Sequence, residues 1–301
     1  MAIITTGSHP KALWPGVKAW WGLKYDEHSP EYPALFDAAT SDKAYEEIVQ
    51  STGFGLAPVK DQGQPVHYDT TIQGFTTRTV HVTYGLGYIV TWEEMQDNLY
   101  SELSNGRAGA NAFSMRQTKE IVAANIYNRA FSSSFVGGDG VALLSASHPN
   151  TSGGTFSNLA TVDLSEAALE DICIQIMGVQ NDRGLNISIM PKTLIVPRQL
   201  WFEANRILKS TLQPDTTSNN INVLKMTNAF PGGIVMNHYL TDTDSWFVKT
   251  NVQQGLVHYT RTPIMFAQDN DFDTKNAKAY SIERYSFSWG DPRALFGSAG
   301  V

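Results

Sequence analysis

The chain is poor in cysteine, in charge and in long apolar runs, and each shortage excludes a class of protein. Cys173 is the single cysteine among 301 residues, so no disulfide can form within the chain. No run of about 18 apolar residues is present, as a membrane-spanning helix would require. The 22 lysines and arginines are outnumbered by 29 acidic residues and form no cluster that would bind a nucleic-acid duplex. We therefore expect a protein that folds in a reducing cytoplasm.

Motifs that carry enzymatic chemistry are also missing. The sequence has no Walker-type phosphate loop, no dinucleotide-binding glycine pattern, no HExxH and no G-x-S-x-G elbow. The seven histidines show no i,i+4 pairing that would direct two rings at one metal. We accordingly predict no catalytic residue, no metal site, no cofactor and no enzyme activity.

Charged residues make up only 17% of the chain, which nevertheless contains 7 Trp, 12 Tyr and 14 Phe. The usual charged share is about 25%. Such a composition predicts that much of the surface is buried against partner subunits. A well-filled core within a monomer is the alternative interpretation.

The first part of the chain, residues 1–53, has the composition of an extended arm. Prolines stand at positions 10, 15, 30 and 33 and interrupt regular structure. We expect one short helix near residues 41–49. The aromatic residues of the arm should lie across its own domain or a neighbour, which makes Trp14, Trp20 and Trp21 candidates for contacts between subunits.

Residues 54–90 show the alternation of a β-hairpin. Polar and apolar residues alternate over 79–84, and residues 66–71 can pair with them across a turn at 72–75. An isolated two-stranded ribbon is marginal in water, so the hairpin needs a second surface. We expect it to be required for assembly and to contribute little to the fold of the isolated subunit. Its candidate contact residues are Phe75, Val80, Val82 and Tyr84.

The rest of the chain mixes helices and strands. Thr91 and Glu94 form a capping box that opens a helix to about residue 131, and Asp163 with Glu166 opens a second helix. A buried strand at 194–196 leads into a helix that begins at Pro197. The remaining alternation predicts strands near 222–226, 234–236, 245–248, 257–266 and 279–289.

Several stretches, taken in order, resemble the major capsid (major head) proteins of tailed bacteriophages. They read YPALFD at 32–37, SDKAYEE at 41–47, HVTYGLGY at 81–88 running into Val90 and Thr91, LLSASHP at 143–149, LIVP at 194–197 and DPRALFGS at 291–298. The resemblance implies the α+β Hong Kong 97-type fold. Residues 1–53 would be its N-terminal arm, 54–90 its extended loop, 91–162 a peripheral domain with a long spine helix, 163–250 the axial domain, and 251–301 strands that return to the peripheral domain.

The resemblance also implies a function and partners. The chain would be a structural subunit that assembles in the host cytoplasm into hexamers and pentamers of an icosahedral head enclosing double-stranded DNA, without sequence-specific binding. Its partners would be further copies of itself, a portal protein and, where the head carries one, a decoration protein. Some relatives have a long charged prefix that acts as an internal scaffold. No such prefix fits before this arm, so we expect assembly to use a separate scaffolding protein, or none.

Three other functions stay open at this point. One is a cellular nanocompartment shell of the same fold, and another is a carbohydrate-binding β-rich phage module. The third is a hydrolase that uses Asp242, Asp244 or His148.

Overall fold

The computed structural model describes residues 14–97, 100–213, 220–271 and 273–300, without the side chains of 14–16, 95, 96 and 100–105. Its helices are α1 (Trp14–Tyr25), α2 (Tyr32–Leu35), α3 (Trp92–Gln96), α4 (Tyr100–Asn128), α5 (Glu166–Met177), α6 (Trp201–Lys209) and α7 (Val223–Met226). Its strands are β1 (Asp37–Thr40), β2 (Tyr45–Ser51), β3 (Gln73–Val80), β4 (Val82–Val90), β5 (His148–Pro149), β6 (Thr155–Phe156), β7 (Leu159–Ala160), β8 (Pro191–Pro197), β9 (Ile234–Asn237), β10 (Trp246–Thr250), β11 (Leu256–Asn270), β12 (Ala277–Trp289) and β13 (Leu295–Ser298).

The first sheet has four strands in the order β1–β11–β12–β4. Its centre is the long antiparallel pair of β11 and β12, which confirms the two strands predicted near 257–266 and 279–289. Helix α4 lies across β4 and β12. Ala108, Ala112 and Ala123 are fully buried on α4. Their small side chains let the helix approach its neighbours closely.

The second sheet has five strands in the order β7–β13–β10–β8–β9. Leu194 and Val196 of β8 face a core shared with α5 and α6. Ile195, between them, faces the core that contains Tyr127 of α4. The sheet is therefore covered on both faces, which explains why residues 194–196 of β8 are all apolar. The last strand, β13, pairs with β10, so the closing segment 251–301 contributes to this sheet as well as to the first.

The predicted helix over 91–131 is divided into α3 and α4. Thr91 caps α3 as predicted, because its hydroxyl accepts a hydrogen bond of 3.4 Å from the backbone N–H of Glu94. The carboxylate of Glu94 does not return to the cap; it binds Arg107, with 2.6 Å between the charged atoms. An ion pair with the next helix has thus replaced the second half of the predicted capping box.

The predicted pairing within 54–90 is wrong. Strand β3 pairs with β2, placing Tyr45 opposite Val80, and β4 pairs with β12. Both β3 and β4 are therefore already occupied, and residues 52–72 form a loop with neither helix nor strand. The helix predicted near 41–49 is also wrong, since this segment supplies β2. Ile48 and Val49 are β-branched and favour the strand.

Three smaller predictions in the middle of the chain also fail. Helix α5 is capped by Ser165, whose hydroxyl accepts from the N–H of Ala168, and not by Asp163. Pro197 remains in β8, opposite Asn237 of β9, so α6 begins only at Trp201. The strand predicted at 222–226 is the short helix α7, capped by the side chain of Asn222.

Candidate assembly surface

The β2–β3 hairpin is fixed to its own subunit both near its base and near its loop end. Gln50 Nε2 donates a 2.9 Å hydrogen bond to the carbonyl of Gly290, and Thr79 Oγ1 bonds to Ser288 Oγ at the end of β12. A Cβ atom at Gly290 would meet the side chain of Ile48 at 2.7 Å, so glycine allows this close packing without a shift of Ile48. The body of the subunit therefore fixes the position of the hairpin along its length.

Polar residues point inward and apolar residues outward along the segment that joins β3 to β4. His81 is buried, with Nδ1 2.9 Å from Ser286 Oγ and Nε2 3.1 Å from Ser41 Oγ. Burial lowers the pKa of His81, which favours the neutral ring. Val80 and Val82, on either side, expose 58% and 49% of their surface. This reversal of the usual pattern indicates that the outer face becomes buried elsewhere.

The loop 52–72 at the tip of the hairpin carries the most exposed apolar side chains. Val59 is 93% exposed, Tyr68 88% and Leu56 81%. Phe54, Val66 and Ile72 in the same loop are also exposed. A concentration of exposed apolar residues in one loop is typical of an interaction site. We call residues 52–72 the tip loop.

Several hydrogen bonds order the neck of the tip loop. The backbone N–H of Thr52 donates to the carbonyl of Ile72 at 2.9 Å, and the hydroxyl of Thr52 accepts from the N–H of Ile72 at 2.8 Å. Further out, Asp69 accepts from the N–H of Gly55 at 2.8 Å. This bond and one from the N–H of Thr70 hold the pKa of Asp69 below its usual value. The two sides of the loop are thus held together as far as Gly55.

The aromatic arm belongs to the fold of its own subunit. Trp21 on α1 is 5% exposed, donates a 2.9 Å hydrogen bond to Asn111 of α4, and stacks on Tyr25 and Phe266. It is therefore no longer a candidate for contact with another subunit. Trp20 is 40% exposed and stays a candidate. Trp14 begins α1, but its side chain lies outside the described residues.

The other predicted contact residues fall into two groups, those partly packed within the subunit and those largely exposed. Tyr84 stacks on Tyr285, with 4.7 Å between ring centroids, and Phe75 is half-buried. Burial raises the pKa of Tyr84. These two residues are partly used by the subunit itself, whereas Val80 and Val82 are largely free to contact a partner. Their contact with another subunit stays a prediction.

A buried ion pair lies where the arm, α4 and the first sheet meet. Lys119 of α4 pairs with Glu283 of β12, and their side chains are only 6% and 2% exposed. The ammonium group also lies 5.0 Å from the ring centre of Tyr32 and 4.9 Å from that of Tyr285. These contacts compensate for the removal of two charges from water. The ion pair thus ties the arm, the helix and the sheet into one body.

Two further titratable groups at this junction show the effect of burial. His258 stacks on Phe287 at 4.6 Å, and burial together with the nearby Lys119 lowers its pKa to about 3. Glu120 accepts hydrogen bonds from the N–H groups of Glu31 and Tyr32, but burial still raises its pKa. We assign this junction a structural role in holding the arm.

The residues of the hydrolase alternative do not form a site. His148 is fully buried, 2.6 Å from Asp139 and 3.1 Å from Asn158, and it stacks on Phe156. Asp242 and Asp244 lie in an exposed turn, where Asp242 accepts the N–H of Asp244. Within the described ranges, no three His, Cys, Asp or Glu residues are grouped to hold a metal, and no helix has the length and apolarity to cross a membrane.

Sequence reasoning missed the tip loop as the main exposed surface. Leu56, Val59 and Tyr68 fall in a segment rich in proline and glycine, where no period of two or 3.6 distinguishes an inner from an outer face. The available signal was the presence of large apolar residues in a segment of turn-forming composition.

Comparisons with known proteins agree with this arrangement. The family described as phage capsid protein matches residues 74–297, whereas no curated protein matches the chain. The structure resembles a virus-like particle from Pyrococcus furiosus, at 8% identity and a TM-score of 0.56, over 95% of this chain and 98% of that one. It resembles the capsid of Myoviridae phage XM1 at 12% identity and 0.50, over 88% and 90%. It resembles the SrpI encapsulin of Synechococcus elongatus PCC 7942 at 12% and 0.51, over 90% and 88%. The predicted Hong Kong 97-type fold is thereby confirmed.

Proposed function

Because the chain belongs to the phage capsid protein family, matched over residues 74–297, we propose that it builds the icosahedral head of a tailed bacteriophage as pentamers and hexamers. The single observation that carries this proposal furthest is the tip loop. It combines the most exposed large apolar side chains among the described residues with an ordered neck. Its exposed apolar side chains stay uncovered in an isolated subunit, but a shell of identical subunits offers them the same receiving surface at every position.

The tip loop would cover an adjacent subunit, together with the outward face at Val80 and Val82. Burying one side chain of the size of Leu56 or Val59 contributes about 1.5–3 kcal/mol. Ordering the loop costs part of this gain. The cost is reduced here, because the Thr52–Ile72 and Gly55–Asp69 hydrogen bonds already order the neck. A contact of a few kcal/mol, repeated around the shell, is enough to decide whether the shell closes.

Replacement of the tip loop tests this proposal. A deletion that enters β3, which begins at Gln73, would break its pairing with β2. A better variant joins Gly55 to Asp69 through an Asn-Gly turn, since the N–H of Gly55 already lies 2.8 Å from the Asp69 carboxylate. We expect this variant to fold with a nearly unchanged melting temperature and to form no closed shells in electron micrographs.

Point variants distinguish a specific effect of the tip loop from a general effect of losing any exposed apolar side chain. Val59→Ser should reduce the yield of shells, whereas Ile121→Ser should not, because Ile121 is 48% exposed on α4 and outside the hairpin. Normal shells from the loop replacement would show that the interface lies elsewhere. Unfolding of that variant would show that the loop is part of the subunit core.

A cellular nanocompartment shell is the second candidate, favoured by the likeness to the encapsulin and to the Pyrococcus furiosus particle. The fold alone does not separate the two functions, whereas the family match favours the phage head. Purified particles separate them directly: a phage head packages double-stranded DNA, and a nanocompartment carries an enzyme.

The remaining partners follow from a phage head. They are a portal protein, a separate scaffolding protein and, where present, a decoration protein, with assembly in the host cytoplasm and DNA held without sequence-specific contacts. In this arrangement residues 91–162 would form the peripheral domain and 163–250 the axial domain. The arm 1–53 and the strands within 251–301 would pack against the peripheral domain, with β13 passing into the second sheet.

A further inference from the structure

An apolar groove lies on the face of the second sheet that α5 and α6 cover, near the residues where β8 begins. It encloses about 690 Å³ between α5, the start of β8 and α7. One of its walls is a stripe on α5, formed by Glu170, Ile174 and Met177 at i, i+4 and i+7. Ile174 is 66% exposed and Met177 48%. The stripe thus begins with an acid and continues with two exposed apolar side chains.

A second stripe with the opposite order lies on α6. Phe202, Arg206 and Lys209 follow the same i, i+4, i+7 spacing and share one exposed face. Phe202 is 77% exposed, a high fraction for so large an aromatic side chain. This stripe therefore begins with an apolar residue and ends with two positive charges.

The two stripes are complementary when two helices pack antiparallel. Phe202 then lies against Ile174 and Met177, and the basic end of α6 lies beside Glu170. Across the residues that the structure describes, no ion pair joins Glu170, Arg206 or Lys209 to another side chain. Both stripes thus present groups that a partner can satisfy.

We propose that the groove beside α5 receives the Phe202 stripe of α6 from the next copy of the chain in a ring. The occupant cannot be the subunit's own Phe202, which follows the far end of β8. This seven-residue strand separates the two ends by roughly 20 Å. A contact between two different surfaces repeats head to tail and closes into a ring, as pentamers and hexamers require. This inference rests on the proposed shell function and adds the residues of the ring contact.

Reversal of the charges tests the contact. Glu170→Lys and Arg206→Glu should each lower the yield of shells at least about tenfold, and the double variant should recover to within about threefold of the wild type. Phe202→Ser should act like the single reversals. Glu203→Lys is the matched control on α6, because helical geometry turns residue 203 about 100° from residue 202; its yield should equal that of the wild type.

A second measurement does not depend on yield. Particles of the variant carrying Ile174→Cys and Phe202→Cys are treated with a short thiol-specific cross-linker and analysed on a denaturing gel. We expect a ladder that ends at five and six subunits, whereas Ile174→Cys alone gives none.

The outcomes separate this inference from the proposed function. If the wild type forms no particles, the shell function fails. If the wild type forms particles while the folded single reversals assemble normally, or the double variant gives no recovery, the ring contact is wrong. A shell that tolerates Phe202→Ser but not Val59→Ser would assign the groove another occupant and would also overturn the inference.

Discussion

Acid should weaken the folded subunit through His258, a buried ring at the junction of the arm, α4 and the first sheet. The pKa of this histidine is lowered from its ordinary value of 6.5 to about 3, first by burial and then by Lys119. The unfolded chain therefore takes up a proton near pH 6.5, whereas the folded subunit resists it down to about pH 3. Stability is fully present above pH 6.5 and is lost as the pH falls through this window.

The size of the effect follows from the two pKa values. Each pH unit well inside the window costs about 1.4 kcal/mol. Between pH 6.5 and pH 4, the loss due to His258 is about 3 kcal/mol. This loss is a large part of the free energy of unfolding of an ordinary domain, which is roughly 5–15 kcal/mol.

The variant His258→Phe isolates this contribution. Phenylalanine retains the stacking on Phe287 and the edge contact with Tyr32, but it does not titrate. Urea unfolding of unassembled subunits, followed by tryptophan fluorescence, gives the free energy of unfolding at each pH between 4 and 7. Subtracting the free energy of unfolding of the variant from that of the wild type cancels the contributions of titrating groups that both proteins share, such as Glu120.

We expect the difference in stability, wild type minus His258→Phe, to fall by about 3 kcal/mol from pH 6.5 to pH 4. His28→Phe serves as a control for the same substitution at an exposed position. A difference that stays constant within about 0.5 kcal/mol over this range would refute the reasoning. It would mean that the ring is hydrated or gains a partner when protonated.

Three further predictions concern the junction of the arm with α4 and the first sheet, and the packing of the hairpin against its own subunit. Lys119→Met should destabilise the subunit by about 3–5 kcal/mol because it leaves Glu283 buried and unpaired, and adding Glu283→Leu should recover most of the loss in urea unfolding. Trp21→Ala should cost about 3–5 kcal/mol, against less than about 1 kcal/mol for Trp20→Ala; equal costs would contradict the burial of Trp21. Gly138→Ala should cost about 1–3 kcal/mol in thermal unfolding, because its Cβ would lie 2.6 Å from a backbone carbonyl of β3; an unchanged melting temperature would contradict this contact.

Local sequence patterns predicted the elements whose cause is local. Thr91 begins a helix because its hydroxyl and spacing suit an N-cap, and the alternation over 257–266 and 279–289 corresponds to the long strands β11 and β12. The uninterrupted apolar run at 194–196 is a strand buried on both faces. In each case, neighbouring residues in sequence contain the whole signal.

The predictions failed where the deciding contact is distant in sequence. Alternation predicted a strand over 79–84, but this segment is divided between β3 and β4. The partner of β4 is β12, nearly 200 residues away, and no local pattern names it. Pro15 was interpreted as interrupting the arm, although it lies in the first turn of α1, where a missing N–H costs nothing. Once α1 forms, Trp21 contacts Asn111 of α4 and Phe266 of β11, so its burial depends on tertiary packing alone.

The candidate contact surface was only partly predicted, because it too depends on contacts that are distant in sequence. The pattern around His81 marked Val80 and Val82 as one face of a strand, but only the bonds of His81 to Ser286 and Ser41 show that the polar face is the inner one. The helix stripes of α5 and α6 could be read from sequence as faces. Which face each helix buries depends on the sheet beneath it.

The reversed pattern around His81 bears on how the sequence is optimised. In a protein selected as a monomer, exposed valines would gain nothing, and buried Thr79 and His81 would need partners that apolar residues make unnecessary. Here the serines of β12 satisfy the inner polar groups, so the valines can face outward without orphaned hydrogen bonds inside. Exposed valines are unfavourable in a monomer, but they suit a shell, where the outward face of one subunit is buried against its neighbour. The stability of the free subunit and that of its assembly are thus assigned to opposite faces of one segment, so each can change without loss of the other.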